Sequence, residues 1–595
     1  MPINFVTHPG VYVTAACFGN QTYSAVAVEK CMSNLLAAQY RRFVLDLYWH
    51  PGARLFGLCP VELPSPAGQT TRILPTSAAT TAHISTVQLT RSSTRIEEDR
   101  RQATSTTPSP SVNAAAPAIS TSTSMQIPVA TLVTPSGETL FSLGSYQCSQ
   151  NLDIHNFSPL ILDYLQNTSD TLNARLLWLE FNLHAAASAD APDDPAQAPP
   201  NSALPSEDQL LGQGMNSTMQ AYIYTPSELA SERSNLNESW YHGPSSYPDP
   251  GYYTTRQQAD GMLSTADGWP TEAYVQLEKV QRVLLGWGAI DPQMADYNFS
   301  GDSGTIFPEG YLSEPRPIQA DSAGQVTSGC FFDSSVTTVS QTNSSWAFSS
   351  FAQNGTLSAL VNNLTACGIS PLLNETLDNT SADRNVTSYI SFPRSAIWNW
   401  AAGEPRNASV SGFDNDYPQW EFRCAIMDIS SAYAGHWRVE DCPNQYRAAC
   451  RVDNGPYEWV LSSNQVSFYD APFSCPGDAV FSAPRTGLEN HYLYNHVLSS
   501  RVLSNTDEEA TGIWINFNSL DIETCWVTTG PNGTCPYYVD ESAEQTRQIL
   551  VPTIGAFIVL VLTALTIFVK CNVNRRNSRT KRRGDDGWDY EGVPS

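Results

Sequence analysis

The fold of the first half of this chain is decided by Arg42–Tyr48, which reads RFVLDLY, a short apolar run rich in residues that favour strands. Comparable runs follow at 177–183 (LWLEFNL) and 282–288 (RVLLGWG). Stretches with helical character precede these three runs, at 26–38, 160–166 and 271–281. A further short strand is predicted at 3–7, ahead of the first helix. Strands that alternate with helices favour parallel pairing through crossover connections. The pattern therefore predicts an α/β domain.

The length of this part of the chain matches a TIM-barrel-like (β/α)8 domain. Two tracts interrupt it, one at 70–124, which contains TSTTPSPSVNAAAPAISTSTS, and one at 185–205, AAASADAPDDPAQAPPNSALP. Tracts of this composition bury too little apolar surface to fold, so we expect both to be disordered insertions. Without them, residues 1–325 retain roughly 250 residues, the usual size of such a barrel.

Beyond residue 325 the composition changes to Cys, Trp, Tyr and Asn with short strands. Eight of the twelve cysteines that precede residue 549 lie in this part. Cysteine density of this kind is typical of regions held together by disulfides. We expect a multidomain chain, in which a disulfide-stapled α+β domain at 326–455 is followed by a second cysteine-containing module at 456–548.

One apolar stretch, 549–569 (ILVPTIGAFIVLVLTALTIFV), predicts a single transmembrane helix. Its 21 residues carry no charge and form roughly 31 Å of helix at about 1.5 Å per residue. Seven Lys and Arg follow it at 570–583. Basic residues stay on the cytosolic side, so we expect a single-pass type I membrane protein. Residues 1–548 would be lumenal or extracellular, and 570–595 would form a basic cytosolic tail.

The part of the chain before this stretch is strongly acidic. Of the 32 Lys and Arg and the 58 Asp and Glu in the chain, 25 basic and 54 acidic residues precede residue 549, which gives that part a net charge of −29. A surface of this sign repels phosphate backbones. We therefore expect no direct nucleic-acid contact by the ectodomain.

Glycosylation sequons and cysteines agree with this orientation. All fourteen Asn-x-Ser/Thr sequons precede the apolar stretch, and we predict a glycoprotein modified at Asn20, Asn156, Asn167, Asn216, Asn237, Asn298, Asn343, Asn354, Asn363, Asn374, Asn379, Asn385, Asn407 and Asn532. Twelve of the thirteen cysteines also precede it, an even number that suits disulfides. The thirteenth, Cys571, is either a palmitoylation site or an inert thiol.

The first residues, MPINFVTHPGVYVTAACF, lack the basic and long apolar regions of a signal sequence. Two explanations stay open: the natural start lies upstream, or the chain is inserted from its C-terminal anchor. Insertion from the C-terminus would place every sequon in the cytosol. We therefore expect the natural chain to start upstream with a signal sequence.

Two sites at predicted strand ends resemble those of phospholipase C-like barrels, among them phosphatidylinositol-specific phospholipase C and glycerophosphodiester phosphodiesterases. In THPG, His8 follows the first predicted strand, and Asp46 lies in the next, RFVLDLY. The resemblance implies a phospholipase C-like fold with a catalytic histidine and metal-holding acids. Glu180, in LWLEFNLH beside His184, is a third candidate at a strand end. The candidate catalytic residues are therefore His8, Asp46 and Glu180.

The chain departs from that family's motif at two positions. Val44 stands where the family has a glutamate, and the predicted strand LFGLC at 55–59 lacks the family's second histidine, although His50 is near. One histidine and one aspartate are too few to serve as acid, base and metal ligand together. We expect a degenerate barrel without catalysis, metal site or cofactor. The alternative is a lumenal or cell-surface phosphodiesterase that acts on lipid or glycolipid head groups.

Residues 330–451 resemble C-type lectin-like domains. The resemblance rests on two tryptophans in IWNWAAGEP (397–405), on Cys424 in RCAIM, and on HWRVEDCPNQYRAAC (436–450). Calcium-binding members of that family carry asparagines that supply oxygen ligands. The matching positions here are Arg406 and Arg438. We therefore expect no calcium-dependent sugar binding.

The same resemblance implies disulfides. The two middle cysteines of such domains pair with each other, which implies a bond between Cys424 and Cys442. Their last cysteine pairs with an early one, which implies that Cys450 pairs with Cys367 or Cys330. Residues 456–540, with WINFNSL at 514–520, resemble the front part of a second module of this kind.

Five stretches resemble one fungal family, maintenance of telomere capping protein 6. They are INFVTHPG (3–10), LLAAQYRRFVLDLYWHPG (35–52), FNLHAAAS (181–188), LLGWGAIDPQMADYNFSGDSGTIFP (284–308) and CWVTTGPNGTCPY (525–537). The resemblance implies a role in telomere capping and no established catalytic residue. Given the acidic ectodomain, we expect an indirect role, exerted by a lumenal receptor or scaffold that contacts a protein or glycan ligand.

Overall fold

The computed structural model describes most of the chain. The described ranges are 1–63, 130–134, 137–169, 174–240, 251–351, 357–406, 422–453, 455–504, 511–535 and 541–577. The tract at 70–124, the tail beyond residue 577 and the sequons at Asn354 and Asn407 lie outside these ranges.

The strands are β1 (Gly10–Tyr12), β2 (Thr22–Tyr23), β3 (Arg42–His50), β4 (Leu55–Gly57), β5 (Ala130–Val133), β6 (Thr139–Leu143), β7 (Tyr146–Ser149), β8 (Leu177–Ala185), β9 (Arg256–Gln257), β10 (Leu263–Ser264), β11 (Val283–Ile290), β12 (Glu314–Pro315), β13 (Gln319–Ala320), β14 (Val326–Ser328), β15 (Ala347–Phe351), β16 (Ser370–Leu373), β17 (Cys424–Asp428), β18 (Trp437–Glu440), β19 (Ala449–Arg451), β20 (Trp459–Leu461), β21 (Val480–Phe481) and β22 (Gly512–Asn518). The α-helices are α1 (Val13–Cys17), α2 (Ala25–Ala37), α3 (Ile154–Asn167), α4 (Leu211–Met219), α5 (Pro226–Ser234), α6 (Phe299–Asp302), α7 (Leu357–Ala366), α8 (Thr387–Ser395), α9 (Gly487–Ser504) and α10 (Glu541–Asn577).

A parallel sheet with the strand order of a partial barrel organises the first part of the chain. Its order is β11-β8-β3-β1-β16-β15-β12, and β4 pairs antiparallel with β3. The first strand of this sheet, β1, thus lies between the second in chain order, β3, and the last in chain order, β16, as the first strand does in a closed barrel. The ladder is open between β11 and β12, where an isolated parallel bridge joins Gly286 to Phe307. The predicted parallel α/β architecture is confirmed in this partial form.

The sheet extends past the predicted domain boundary. β1 pairs with β16, in the register Gly10 to Leu372, and β15 pairs with β16. The boundary predicted at residue 325 is therefore wrong, because strands that come later in the chain complete this sheet. Composition could not reveal this, since the pairing joins segments more than 300 residues apart.

The first strand begins seven residues later than predicted. Ile3–Phe5 is a single 3-10 turn, and β1 begins at Gly10. Gly10 is required there, because a Cβ atom would lie 2.7 Å from Leu372 Cδ1 and 3.1 Å from Arg42 Cβ. The predicted helix at 271–281 is also different, since its regular part is a π-helix at Tyr274–Glu278.

The two faces of the sheet have different partners. Phe43, Leu45 and Leu47 of β3 belong to one buried cluster with Leu35 of α2 and Ile161 of α3, so this face packs against the helices. Side chains alternate along a strand, so the even-numbered residues of β3 point to the inner face. The inner face carries the polar residues of the candidate site.

The tract at 185–205 is ordered, contrary to prediction. Ala187 forms a parallel bridge to Val61, and Asp193 accepts hydrogen bonds from the backbone and hydroxyl of Ser145 at 3.0 and 2.7 Å. Trp49 Nε1 donates to the Ala203 carbonyl at 2.8 Å. A tract poor in apolar side chains is held here by hydrogen bonds to its neighbours, which composition does not report.

The second part of the chain is an α+β unit. β17 pairs antiparallel with both β18 and β22, and β19 pairs with β20 and β21. Because β22 follows residue 455, the predicted division into modules at 326–455 and 456–548 is wrong. The two segments share one sheet.

Six disulfides join cysteines of the described residues: Cys17–Cys31, Cys59–Cys148, Cys330–Cys367, Cys424–Cys442, Cys450–Cys475 and Cys525–Cys535. The bond between Cys424 and Cys442 is the one that the lectin-like resemblance implies. The pairing implied for Cys450 is wrong. Cys450 bonds to a downstream cysteine because Cys330 and Cys367, 4.8 Å apart between Cα atoms, pair beside the barrel sheet.

One helix in the described part of the chain is long and apolar enough to cross a membrane. It is Pro552–Asn572, within α10, with a mean hydropathy of 2.4. Its length and composition agree with the predicted span at 549–569.

Candidate functional site

The carboxyl ends of three neighbouring strands bring polar side chains together. β3 carries Asp46 and Tyr48, β8 carries Asn182 and His184, and Asp291 directly follows β11. The parallel register sets Asp46 beside Asn182 and Tyr48 beside His184. Catalytic groups of TIM barrels lie at this end of the sheet, so these residues form the candidate site.

A continuous hydrogen-bonded cluster joins the three strands. Asp46 Oδ1 accepts from Asn182 Nδ2 at 2.8 Å, and Asp46 Oδ2 accepts from Thr14 Oγ1 at 2.5 Å. His184 lies between two carboxylates. Its Nε2 is 3.4 Å from Asp46 Oδ1, and its Nδ1 is 2.8 Å from Asp291 Oδ2. Both carboxylates therefore favour the protonated imidazole.

The pKa values of the cluster follow from these contacts. Burial alone would lower the pKa of His184, but the hydrogen bonds to Asp46 and Asp291 raise it above its ordinary value. Burial alone would raise the pKa of Asp46, but the hydrogen bonds from His184, Thr14 and Asn182 lower it. The arrangement is that of an imidazolium held between carboxylates rather than of a free base.

We expect the stability of the fold to depend on the charge of His184. Its folded pKa is raised, so its stabilising contribution is complete below the unfolded pKa of about 6.5 and is lost as pH rises through the folded pKa. Thermal unfolding of wild type and His184→Gln, measured from about pH 5 to 9, should show a difference in Tm that shrinks as pH rises.

A matched control for this titration is His50→Gln. Burial lowers the pKa of folded His50 to about 4, below the unfolded value of about 6.5, so wild type loses stability as pH falls below about 6.5. The Tm of wild type relative to that of His50→Gln should therefore rise between pH 5 and about 7 and then stay constant, the opposite of the trend for His184→Gln. A Tm difference for His184→Gln that is constant, or that follows the His50→Gln trend, would contradict the raised pKa of His184.

His8 lies at the opposite end of the barrel from Asp46. It precedes β1 rather than following a strand, and it is 6% exposed, with its ring centroid 4.3 Å from that of Trp178. Burial, then the charges of Arg41 and Arg42, lower the pKa of His8 well below its ordinary value. The predicted catalytic placement of His8 is therefore wrong, because the strand begins after this residue.

The surroundings of His8 combine aromatic and polar side chains. A cavity of about 10 Å³, room for about one water molecule, is lined by His8, Trp178, Trp346 and Asn4. Within the described structure, His8 Nε2 and the two indole nitrogens have no hydrogen-bond partner among protein atoms. His8 is thus a buried, neutral histidine at the amino end of the strands.

Glu180 is held by an ion pair. Its Oε2 accepts from Arg42 Nη2 at 2.8 Å and from Nε at 3.1 Å, and Arg42 Nη2 also donates to the Leu312 carbonyl at 3.2 Å. Glu180 faces Val44 across the ladder, one inward position below Asp46 and Asn182. It does not lie at the strand end beside His184, as predicted, because β8 continues to Ala185.

His50 is also away from the cluster. It ends β3 where the chain turns into β4, and its Nε2 contacts the Cys59 carbonyl at 3.1 Å. The 55–59 segment thus forms a hairpin with β3 instead of the next parallel strand. Neither His50 nor His8 belongs to the hydrogen-bonded cluster around His184.

Among the residues with described side chains, no group of three or more His, Cys, Asp and Glu is placed to hold a metal ion. Asp46 faces three hydrogen-bond donors, and Glu180 is paired with Arg42. The arrangement can stabilise a charged histidine and can tie three strand ends together.

The family model described as the MTC6 partial TIM-barrel domain matches residues 1–398. The chain belongs to the MTC6 family. The match includes every strand of the partial barrel sheet, up to β16, and ends before β17. The family predicted from the sequence is confirmed.

Curated relatives named "Maintenance of telomere capping protein 6" are similar over most of the chain. The relative from Lachancea thermotolerans is 24% identical over 445 residues, 73% of this chain and 77% of the relative. The relative from Vanderwaltozyma polyspora is 26% identical over 386 residues, 63% of each chain. The relative from Saccharomyces cerevisiae S288c is 25% identical over 388 residues, 63% of this chain and 65% of the relative. No solved structure matches the chain.

Three residues of the cluster in this MTC6 family chain were not predicted from the sequence: Thr14, Asn182 and Asp291. Asn182 and His184 alternate on β8 as Asp46 and Tyr48 do on β3. Period-two spacing in two neighbouring strands was a usable signal, because such residues share a face. Thr14 and Asp291 carried no such signal, since they follow strands whose ends were not predicted correctly.

The two arginines at the positions that match calcium ligands of C-type lectin-like domains, Arg406 and Arg438, form ion pairs. Glu404 Oε1 lies 2.9 Å from Arg406 Nε, and Glu404 Oε2 accepts from the Val439 backbone at 3.3 Å. Arg438 Nε lies 2.6 Å from Asp428 Oδ2. The two arginines thus neutralise the carboxylates beside them.

Proposed function

We propose that this chain is a single-pass type I membrane glycoprotein whose ectodomain is lumenal and non-catalytic, and that it acts as a receptor or scaffold. Its contribution to telomere capping, the process for which its relatives are named, is indirect. Its ectodomain contacts a protein or glycan ligand and does not contact DNA.

The main observation in support of a non-catalytic ectodomain is that the carboxylates predicted to be catalytic already form hydrogen bonds and ion pairs within the protein. Cleavage of a phosphodiester needs a base, an acid and positive charge on the developing phosphorane. Asp46 is bound by Thr14, Asn182 and His184, and Glu180 is neutralised by Arg42. Hard divalent cations need several free oxygens, and both oxygens of Asp46 and Oε2 of Glu180 are already engaged. The partial barrel is accordingly a degenerate relative of phospholipase C-like barrels.

Exposure of the sequons supports a lumenal ectodomain. Of the twelve sequon asparagines in the described ranges, ten are exposed, namely Asn20, Asn156, Asn167, Asn237, Asn298, Asn343, Asn374, Asn379, Asn385 and Asn532. Asn216 and Asn363 are half-buried, and their amides donate to Thr305 Oγ1 and the Gly324 carbonyl. We expect glycans at the ten exposed positions and at neither half-buried one. The basic residues after the apolar helix support a cytosolic tail.

The acidic charge of the ectodomain supports an indirect role. The net charge of −29 before residue 549 opposes contact with nucleic acid, and a membrane anchor separates the ectodomain from the nucleoplasm. An effect on telomere capping then passes through secretory-pathway or cell-surface physiology.

The receptor part of the proposal rests on the C-terminal unit. Trp400 and Trp437, from the first lectin-like segment, pack against Phe517 and Trp526 from the second, with ring centroids 4.8–5.8 Å apart. β22, from the second segment, pairs with β17, from the first, and this pairing also joins the two segments. We take the two segments as one lectin-like domain, with its ligand contacts independent of calcium.

The proposal is tested by hydrolysis assays. Detergent-solubilised full-length chain, with calcium or magnesium, should not hydrolyse phosphatidylinositol or glycerophosphodiesters above background. Asp46→Asn and His184→Ala serve as matched controls, since each removes one member of the Asp46–His184 pair at the carboxyl ends of the strands. Turnover that is clear in wild type and absent from both variants would establish the alternative, a phosphodiesterase acting on lipid or glycolipid head groups.

A further inference from the structure

A cleft of about 590 Å³ lies between α2 and α3, on the outer face of the partial barrel. Its volume is within the range of roughly 300–1,000 Å³ that is usual for small-molecule sites. Its floor is apolar and aromatic, formed by Met32, Leu36 and Tyr40 from α2 and the turn after it, and by Leu160 and Tyr164 from α3. This cleft is distinct from the Asp46 cluster at the carboxyl ends of the strands.

The rim of the cleft is polar and carries charges of both signs. Glu29 and Asp163 contribute two negative charges, and Arg41 and Arg175 contribute two positive charges. Arg41 is paired with Glu272 at 3.1 Å, which places a third negative charge beside the rim. The charges nearly cancel and leave a small negative excess, so a neutral ligand suits such a rim better than an anion. Side chains with several donors and acceptors, beside aromatic rings, suit a molecule rich in hydroxyl groups.

An attachment point for such a molecule lies on the rim itself. Asn167 ends α3, lines the cleft, and is exposed. It begins the sequon Asn167-Thr168-Ser169. By contrast, the sequon asparagines Asn216 and Asn363 are half-buried and use their amides in hydrogen bonds.

We propose that the α2–α3 cleft is the seat of an N-linked glycan attached to Asn167. The first sugars of this glycan lie in the cleft, with their apolar faces on the Tyr164 side and their hydroxyl groups at Asp163 and Arg175. The proposal rests on the lumenal orientation proposed above. The glycan is chosen as the ligand of the cleft because it is attached covalently at the rim. A sugar attached to Asn167 has a high effective concentration at a cleft that this same asparagine lines.

The test compares the Asn167 glycan with a glycan outside the barrel. Full-length chain from its native host is treated with an amidase that removes N-glycans, first folded and then denatured, and each site is followed by glycopeptide mass spectrometry. The glycan at Asn167 should be removed at least ten-fold more slowly than that at Asn532 in the folded protein, and equally fast after denaturation.

Four substitutions sharpen the comparison. Ser33→Trp, at an exposed position that lines the cleft, should expose the Asn167 glycan and abolish its protection without removing the sequon. Ser169→Ala removes the sequon and should lower the Tm, whereas Ser169→Thr keeps the sequon and should not. Thr534→Ala, which removes the sequon at Asn532, should leave the Tm unchanged.

The outcomes separate this inference from the proposed orientation. If Asn167 is unmodified while other exposed sequons carry glycans, or if its glycan is removed as fast as that at Asn532, the cleft inference is overturned and the orientation stands. If no sequon carries a glycan, the lumenal orientation fails, and the cleft inference fails with it.

Discussion

Replacement of Glu489 by glutamine should destabilise the protein by about 3–5 kcal/mol, the usual cost of removing one partner of a buried ion pair. Arg451 Nη2 lies 2.9 Å from Glu489 Oε2, and the two side chains are 1% and 0% exposed. Glutamine keeps the shape of the side chain but removes the charge, so the Arg451 guanidinium would remain buried without a counter-charge.

The effect should extend beyond this pair, because Glu489 also links the two parts of the chain. The Tyr252 hydroxyl, from the barrel half, donates to Glu489 Oε1, and the Arg485 backbone donates to Oε2 at 2.9 Å. The Arg451 guanidinium also lies over the Trp459 ring, 5.0 Å from its centroid. Loss of the carboxylate therefore weakens both the C-terminal unit and its contact with the barrel half.

Urea unfolding of the solubilised chain, followed by tryptophan fluorescence, measures this loss. A matched control is Glu272→Gln, which breaks the ion pair between Arg41 and Glu272, whose side chains are 20% and 28% exposed. Partly exposed pairs of this kind contribute about 0–1 kcal/mol. Equal losses for the two variants would contradict the role given to the buried pair.

Loss of the Cys59–Cys148 disulfide should be the second large effect. The bond closes a loop of 89 residues in sequence separation, and chain-entropy arguments assign such a loop roughly 4–5 kcal/mol. The bond also ties the β3–β4 hairpin to β7, because Cys59 follows β4 and Cys148 lies in β7.

A short-loop disulfide provides the comparison. Cys525–Cys535 closes a separation of 10 residues, for which the same argument gives roughly 3 kcal/mol. The double variant Cys59→Ala/Cys148→Ala should therefore lose more stability in urea than Cys525→Ala/Cys535→Ala. The reverse order would show that strain or residual structure, rather than loop closure, governs these bonds.

The barrel strands with strong local signals were predicted well. Arg42–His50 and Leu177–Ala185 contain the predicted apolar runs, and Val283–Ile290 contains the third run except Arg282, because burial on both sheet faces requires continuous apolar sequence. β15 and β16 were not predicted as part of the sheet. They lie in a segment that was assigned to the predicted lectin-like region because of its cysteines and glycosylation sequons. Short strands also show too little periodicity to be recognised on their own.

The candidate site was predicted only in part. Asp46 was identified from its strand, and His184 from its position beside LWLEFN. His8 and Glu180 were misplaced, because the start of β1 and the length of β8 set which end of the sheet each residue reaches. A shift of a few residues along a strand moves a side chain about 3.3 Å per residue, enough to exchange one end of a short strand for the other.

The sequence by itself determined the properties that depend on short stretches or on counts. These are the apolar helix near the C-terminus, the acidic charge and the even number of cysteines before it, and the long strands. The tertiary structure alone decided which strands are neighbours, where the barrel ends, which partner Cys450 takes and which carboxylates are neutralised. Each of these depends on contacts between segments tens to hundreds of residues apart, such as Gly10 with Leu372 and Arg42 with Glu180. Local composition and periodicity do not predict such contacts, because the contacts depend on how the whole chain packs.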